Sequence, residues 1–203
     1  MKYTPNPSQE ENFKKVGLFF GSFNPIHVGH MIIADHIAIN TDLKEIWFVV
    51  SPHNPLKKKK SLLDSRHRLA LVSRATESDL RFKASDIEFQ LEQPSYTAVT
   101  LAYLKEKYPK VEFSLIMGGD NLASLTKWKN YESILKNYPI VVYSRPESDI
   151  SELPFKGNIT VLDAPQMNIS SSHIRNQISG GNSVKYLMPP EAWEYLDEMN
   201  FYK

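Results

Sequence analysis

Residues 17–30 read GLFFGSFNPIHVGH, and this stretch decides the fold that we expect. The run Val16–Phe20 is short and rich in β-branched and aromatic residues, as in a buried strand. From Gly29 onward, apolar residues recur at three- and four-residue intervals, as in an amphipathic helix. Residues 21–28 then form the turn from strand to helix, which predicts the first half of a βαβ unit.

The same rhythm of short strands and longer amphipathic helices continues along the chain. It predicts five further strands, at Ile46–Val50, Leu80–Lys83, Phe113–Met117, Ile140–Tyr143 and Thr160–Leu162. Helices are predicted at Gly29–Ile39, Ser65–Thr76, Thr97–Tyr108, Tyr131–Asn137, Ser171–Ile178 and Pro190–Met199. Asp86–Leu91 is expected to add an edge strand. The pattern predicts an α/β fold: a Rossmann-like, open, mostly parallel sheet with helices on both faces.

Length and composition indicate one globular domain over residues 1–203, with a polar lead-in at 1–14 and a helical C-terminal part at 165–203. Hydrophobic residues make up 41% and charged residues 23%, which is ordinary for such a domain. The net charge of +1 gives no overall field for a nucleic acid polymer or an anionic membrane. Any anion site is therefore expected to be local.

The chain has no cysteine, which excludes disulfides, thiolate zinc sites and a cysteine nucleophile. Residues 1–15 lack the apolar core of a secretory signal, and no apolar run approaches the ~18 residues of a membrane span. We therefore expect a cytoplasmic protein that does not enter the membrane.

The turn after the first strand has the composition of a phosphate site. Gly21 allows close approach to the backbone, and the helix start offers free N–H groups and a positive dipole end. His27 and His30 lie three residues apart, so both could donate to one phosphate. A metal site is the alternative, but two histidines are too few, and His36 has no obvious carboxylate partner. We therefore predict no protein metal site; histidines that only satisfy buried polar groups are the other interpretation.

Segments after the later strands carry further candidates, because ligands of open α/β sheets bind beyond the strand ends. Asn54 and the lysine run beginning at Lys57 follow the second strand; Lys57 could hold a substrate phosphate or simply be solvated. Arg145 follows the fifth strand and is a further phosphate candidate. Lys57 and Arg145 would bring positive charge to the edge of the sheet at which the turn after the first strand also lies.

The third and fourth strands are followed by groups suited to other parts of a ligand. Tyr96 and Thr97 precede a helix whose free N–H groups suit a carboxylate or phosphate, unless Thr97 is an ordinary N-cap. Gly118 gives flexibility at a strand end, and Asp120 could bind a ribose hydroxyl, hold a magnesium-bound water or cap the helix. Trp128 stands among polar residues and could stack on a flat ring.

Residues 169–175, ISSSHIR, place three serines at a helix start and Arg175 one turn later. Hydroxyls, free N–H groups and a guanidinium on one helical face suit a polyphosphate. A serine-rich cap with a surface arginine is the alternative.

The turn GSFNPIHVGH and the late segment ISSSHIR resemble the adenylyltransferase superfamily, whose signatures are an H-x-G-H turn and an S-x-T-like-x-x-R helix. From about Val16 to Tyr202 the chain resembles the bacterial nicotinate-nucleotide adenylyltransferases. It departs from them at Ser172, where threonine is usual, and in the loop reading PLKK, where PPHK is common. The second departure leaves open whether His53, Lys57 or Lys58 binds the mononucleotide phosphate.

The resemblance implies roles for individual residues. His27, His30 and Arg175 would be catalytic and bind ATP phosphates. The remaining ATP site would comprise Gly21, Ser22, Phe23, Gly118, Asp120 and Ser171, with Asp120 at the ribose. The mononucleotide site would comprise Asn54, Lys57, Tyr96, Thr97, Trp128 and Arg145. Mg²⁺ would be held mainly by ATP phosphates and water.

The reaction implied is adenylyl transfer from ATP to nicotinate mononucleotide, which gives nicotinate adenine dinucleotide and pyrophosphate in NAD biosynthesis. An adenylyltransferase acting on nicotinamide mononucleotide or phosphopantetheine is an alternative. A non-catalytic nucleotide-binding regulator is another. The expected partners are ATP and the mononucleotide, and the sequence leaves a homodimer open.

Overall fold

The computed structural model describes residues 13–52, 62–144, 157–165 and 167–203. Six strands form one sheet in the order β3-β2-β1-β4-β5-β6. The strands are β1 (Lys14–Gly21), β2 (Glu45–Val50), β3 (Phe82–Ser85), β4 (Val111–Gly118), β5 (Ile140–Ser144) and β6 (Ile159–Asp163). All five strand pairings are parallel, as expected of βαβ units.

Seven α-helices connect or follow these strands within the described ranges. They are α1 (Val28–Asn40), α2 (Ser65–Thr76), α3 (Thr97–Lys107), α4 (Gly119–Ala123), α5 (Tyr131–Asn137), α6 (Ser171–Ser179) and α7 (Pro190–Glu198). None of these helices is both long and apolar enough to cross a bilayer.

Both faces of the sheet are buried, as the alternating side chains of β2 show. Ile46, Phe48 and Val50 belong to one apolar cluster, whereas Trp47 and Val49 belong to another, because successive strand side chains point to opposite faces. The first cluster includes side chains of α1, α2, α6 and α7, and the second includes side chains of α3, α4 and α5. The predicted Rossmann-like sheet with helices on both faces is confirmed.

Two details of the expected pattern are wrong. The third strand begins at Phe82 rather than at Leu80, which lies 94% exposed in the connection before it. Asp86–Leu91 is no edge strand: a 3₁₀ turn covers Ile87–Gln90. The turn places the Glu88 carboxylate in the interior, where it accepts a 2.9 Å hydrogen bond from the Thr100 hydroxyl of α3. A buried side-chain hydrogen bond to α3, and not pairing with a neighbouring strand, therefore holds this segment in place.

Candidate active site

The main cavity lies where the strand order reverses between β1 and β4, the usual ligand position in an open α/β sheet. Its volume is about 610 Å³. The end of β1, the following turn, α1, the end of β5 and the start of α6 all contribute to its wall. Its polar lining includes Ser22, Asn24, His27, His30, Tyr143, Ser144, Ser170, Ser171, Ser172 and Arg175.

The turn after β1 is shaped by the ring of Phe23. Phe23 adopts a left-handed conformation, with φ of 42°, and is only 2% exposed. A Cβ at Gly21 would lie 2.7 Å from the Phe23 ring, so glycine is required for this close approach. The close approach seen here is that of Phe23; approach of a phosphate to Gly21 stays a prediction.

His27 and His30 lie together at the start of α1. Their rings stack with centroids 3.7 Å apart, and the backbone N–H of His27 donates to Nδ1 of the His30 ring at 3.2 Å. Because Nδ1 accepts, the proton of a neutral His30 ring lies on Nε2, which makes Nε2 a donor. Edge contact with Phe23, at 5.1 Å between centroids, helps to fix the ring. His30 thus lines the cavity as an oriented hydrogen-bond donor.

The start of α6 is bonded directly to the β1 turn, although the two are remote in sequence. Ser171 Oγ donates to the Pro25 carbonyl at 2.9 Å, and Arg175 Nη1 donates to the Asn24 carbonyl at 2.7 Å. Arg175 Nη2 also donates to Ser172 Oγ, at 3.1 Å. The structure therefore brings the predicted phosphate residues of both motifs to one cavity.

Ser170 is the N-cap of α6, and its Oγ accepts from the His173 N–H at 3.1 Å. We expect Ser170→Ala to lower the free energy of unfolding by about 1 kcal/mol, since the alanine leaves that N–H without its cap. Ser179→Ala, at the other end of α6, is the control, because Ser179 Oγ only donates to the Asn176 carbonyl in its own helix. Urea denaturation measures both, and equal losses would contradict the cap assignment.

Arg68 is a structural residue of the site that sequence reasoning missed. It is fully buried, and its guanidinium donates to the carbonyls of Ser22, Ser51, Pro52 and Leu63 at 2.6–2.9 Å. Burial lowers the pKa of Arg68, because a desolvated charge is unfavourable. The arginine thus joins the loops that follow β1 and β2. The helical pattern of α2 gave no signal that separates it from an exposed arginine.

Gly118 and Asp120 lie at the end of β4, next to the cavity but outside its lining. Gly118 pairs with Tyr143 of β5, and a Cβ there would lie 2.6 Å from Asp120 Oδ1. Asp120 is exposed and sits inside α4, whose N-cap is Gly118, so Asp120 is not the N-cap. A role at the ribose stays a prediction.

Tyr96, Thr97 and Trp128 form a second group that does not line the main cavity. Tyr96, not Thr97, is the N-cap of α3, and its side chain makes no capping hydrogen bond within the described structure. Lys129 Nζ lies 4.5 Å from the centre of the Tyr96 ring, which brings the Trp128 segment to the start of α3. Trp128 is half-buried and packs against the second apolar cluster, so it is partly a core residue.

Several predicted phosphate ligands lie outside the described residues. They are His53, Asn54, Lys57, Lys58 and Arg145. Among the residues that are described, no three His, Asp or Glu side chains lie close enough together to hold a metal ion.

Comparison of sequences relates the chain to one protein family and to a group of similarly named relatives within it. The cytidylyltransferase-like family model matches residues 18–177. A protein of Flavobacterium johnsoniae named "Probable nicotinate-nucleotide adenylyltransferase" is 58% identical over 191 residues, or 93% of this chain and 99% of that protein. A relative of the same name from Cytophaga hutchinsonii is 48% identical over 188 residues, covering 93% and 98%.

The fold also matches a solved structure, that of Plasmodium falciparum nicotinic acid mononucleotide adenylyltransferase complexed with NaAD. The TM-score is 0.77 at 23% identity, over 93% of this chain and 97% of that one. At this identity the likeness bears on the fold alone, whereas the sequence relatives decide the family. The chain belongs to the cytidylyltransferase-like family and, within it, to the nicotinate-nucleotide adenylyltransferases.

Proposed function

We propose that the protein transfers the adenylyl group of ATP to nicotinate mononucleotide, which gives nicotinate adenine dinucleotide and pyrophosphate for NAD biosynthesis. One observation carries the proposal: the stacked pair His27 and His30 and the guanidinium of Arg175 line the same cavity at the end of β1. Family membership supports the choice of substrates. The roles of individual residues follow from their chemistry.

The cavity suits the triphosphate of ATP because its polar wall is rich in hydrogen-bond donors. The starts of α1 and α6 both lie there, and helix N-termini favour anions through free N–H groups and the helix dipole. Arg175 can add a charge-assisted hydrogen bond, and His30 Nε2 can add a neutral one. In-line attack on the α-phosphorus would place developing negative charge among these donors.

The acceptor phosphate needs no catalytic base. The second pKa of a phosphomonoester is near ~6, so the mononucleotide phosphate is largely dianionic at neutral pH. One of its oxygens attacks the α-phosphorus, and the bond to the departing pyrophosphate breaks. The protein's task is to align two mutually repelling anions and to stabilise the charge that forms on the leaving group.

We include Mg²⁺ in the proposal as part of the ATP substrate. Mg²⁺ prefers oxygen ligands and keeps much of its water, so phosphate oxygens and water would hold most of it. Histidine, arginine and serine side chains of the cavity wall suit phosphate oxygens better than they suit a cation. The cation would neutralise charge on the phosphates, while His30 and Arg175 act from the protein side.

The second group, at the start of α3, would hold the nicotinate part. The N–H groups of the first turn of α3 can donate to a carboxylate, because the side chain of the N-cap residue Tyr96 accepts no hydrogen bond from them in the part of the chain that the structure describes. Trp128 lies on the neighbouring segment and can stack on a pyridine ring. Lys129, close to the Tyr96 ring, adds positive charge there. A carboxylate would therefore be favoured over an amide.

Release of pyrophosphate from ATP tests the proposal. Nicotinate mononucleotide, nicotinamide mononucleotide and phosphopantetheine are assayed in parallel at equal concentrations. We expect the nicotinate compound to give the highest kcat/KM. Equal or faster turnover with either of the others would reject the proposed acceptor, and no turnover with any of them would favour the nucleotide-binding regulator.

Loss of the indole ring should affect one substrate only. We expect Trp128→Ala to raise KM for nicotinate mononucleotide by about tenfold, because ring stacking is worth roughly 1 kcal/mol or slightly more. KM for ATP should stay within about twofold, since Trp128 lies outside the main cavity. Steady-state kinetics with each substrate varied in turn measures both constants.

Trp193→Ala is the matched control. Trp193 is also half-buried, but it packs against the first apolar cluster on the other face of the sheet. Both variants should lose stability through lost packing, and only Trp128→Ala should change KM for the mononucleotide. A similar rise in both KM values for Trp128→Ala would contradict the stacking role.

A further inference from the structure

The residues after α7 lead the chain back to the active site. Asn200 and Tyr202 both have left-handed backbones, with φ of 54° and 66°, which turn the chain after the helix. Phe201 between them is 9% exposed and packs in the first apolar cluster, with its ring centroid 4.7 Å from that of His67. The Tyr202 hydroxyl is thereby held over the turn that follows β1.

The Tyr202 hydroxyl donates to Asn24 Oδ1 at 2.7 Å, across 178 residues of sequence. Asn24 is 4% exposed and joins several parts of the site. Its Oδ1 also accepts from the Leu63 N–H at 3.1 Å, and its carbonyl accepts from Arg175. Asn24 therefore links the C-terminal residues, the segment before α2 and the arginine of α6.

The position of Asn24 bears directly on the phosphate-binding groups. Asn24 precedes Pro25, whose carbonyl accepts from Ser171, and lies three residues before His27. The phenol of Tyr202 is protonated at neutral pH and so can donate, and burial raises its pKa further above that of a free tyrosine. The turn thus has a partly buried tether at Asn24, the residue whose carbonyl also accepts from Arg175.

We propose that Tyr202 is a positioning residue for adenylyl transfer, which holds Asn24 so that His27, His30 and Arg175 stay aligned on the ATP phosphates. This inference rests on the proposed function. Tyr202 touches no reacting atom in it; its hydroxyl acts through Asn24. Misplacement of catalytic groups by about 1 Å can cost up to 10²-fold in rate, so loss of one tether is expected to be measurable.

Tyr202→Phe and Tyr195→Phe form a matched pair for the test. Tyr195, in α7, also makes one hydrogen bond through its hydroxyl, at 2.9 Å to His67 Nδ1, but that bond does not reach the turn. We expect both variants to lower Tm by about 2–4 °C, as for one lost hydrogen bond. Only Tyr202→Phe should lower kcat, by about tenfold, with KM for nicotinate mononucleotide within about twofold.

Hydrogen exchange gives a readout that does not depend on activity. The backbone amides of residues 22–30 should exchange faster in Tyr202→Phe than in the wild type. In Tyr195→Phe their exchange rates should equal those of the wild type. If kcat and exchange in this turn are unaffected by Tyr202→Phe, or if Tyr195→Phe reduces kcat equally, the positioning role is refuted. Absence of pyrophosphate release from the wild type would reject the proposed function alone, while the exchange comparison still decides on the tether.

Discussion

His30→Ala is expected to lower kcat by about 10²-fold or more, because in the proposed mechanism it removes a donor to the charge that develops in the transition state. The His30 ring is oriented before substrate arrives, because the backbone N–H of His27 donates to its Nδ1 and the Phe23 ring packs against it in an edge contact. A pre-oriented donor needs no reorganisation during the reaction, which is why its loss is costly. Steady-state rates at saturating substrates measure the effect.

Folding of the His30→Ala variant should be little affected, with a loss of about 1 kcal/mol for the hydrogen bond to His27. His27 itself is a poorer test, because it is only 6% exposed and its replacement would also disturb packing. His36→Ala is the control on the same helix, since its ring contacts Asn40 near the helix end. Near wild-type kcat in His30→Ala would refute the catalytic role.

Arg68→Ala should be the most destabilising substitution that we consider, with a loss of about 4 kcal/mol in the free energy of unfolding. The alanine would leave a cavity where the buried Arg68 side chain lay, and it would remove the donor from four partly buried carbonyls. For a chain of this size the corresponding fall in Tm is about 8–16 °C. Urea denaturation followed by circular dichroism measures the loss.

Two further variants test whether the hydrogen bonds of Arg68, rather than its positive charge alone, stabilise the protein. Arg66→Ala removes an exposed arginine from the same helix and should change stability by no more than about 0.5 kcal/mol. Arg68→Lys keeps the charge, but an ammonium cannot reproduce the planar fork of a guanidinium, so it should recover only part of the loss. Full stability in Arg68→Lys would contradict the role of the four carbonyl contacts.

The strands and helices were largely predictable from the sequence because their burial is periodic. Ser65–Thr76 and Tyr131–Asn137 have the same bounds in the structure as in the pattern. The error at Asp86–Leu91 arose where a buried carboxylate binds a hydroxyl on α3, a contact that no local pattern reports. Local periodicity records which face of an element is buried, but not which distant polar group meets it.

The candidate site was predictable in part for the same reason. Motifs at the ends of parallel strands meet at one edge, so the turn of His27 and His30 and the helix of Arg175 could be expected near each other. The contacts between them run to backbone carbonyls of Asn24 and Pro25. Backbone groups are present at every position, so the sequence cannot mark which of them is used.

By itself the sequence determined the parallel α/β architecture and the family, and it marked the two motifs that we predict to bind phosphate, because these depend on local periodicity and on residue types at short spacing. Only the tertiary structure decided that Arg68 is a buried crosslink rather than a surface charge, and that Tyr202 reaches Asn24. Both depend on contacts between segments remote in sequence. Such contacts become definite only when the sheet has placed the segments side by side.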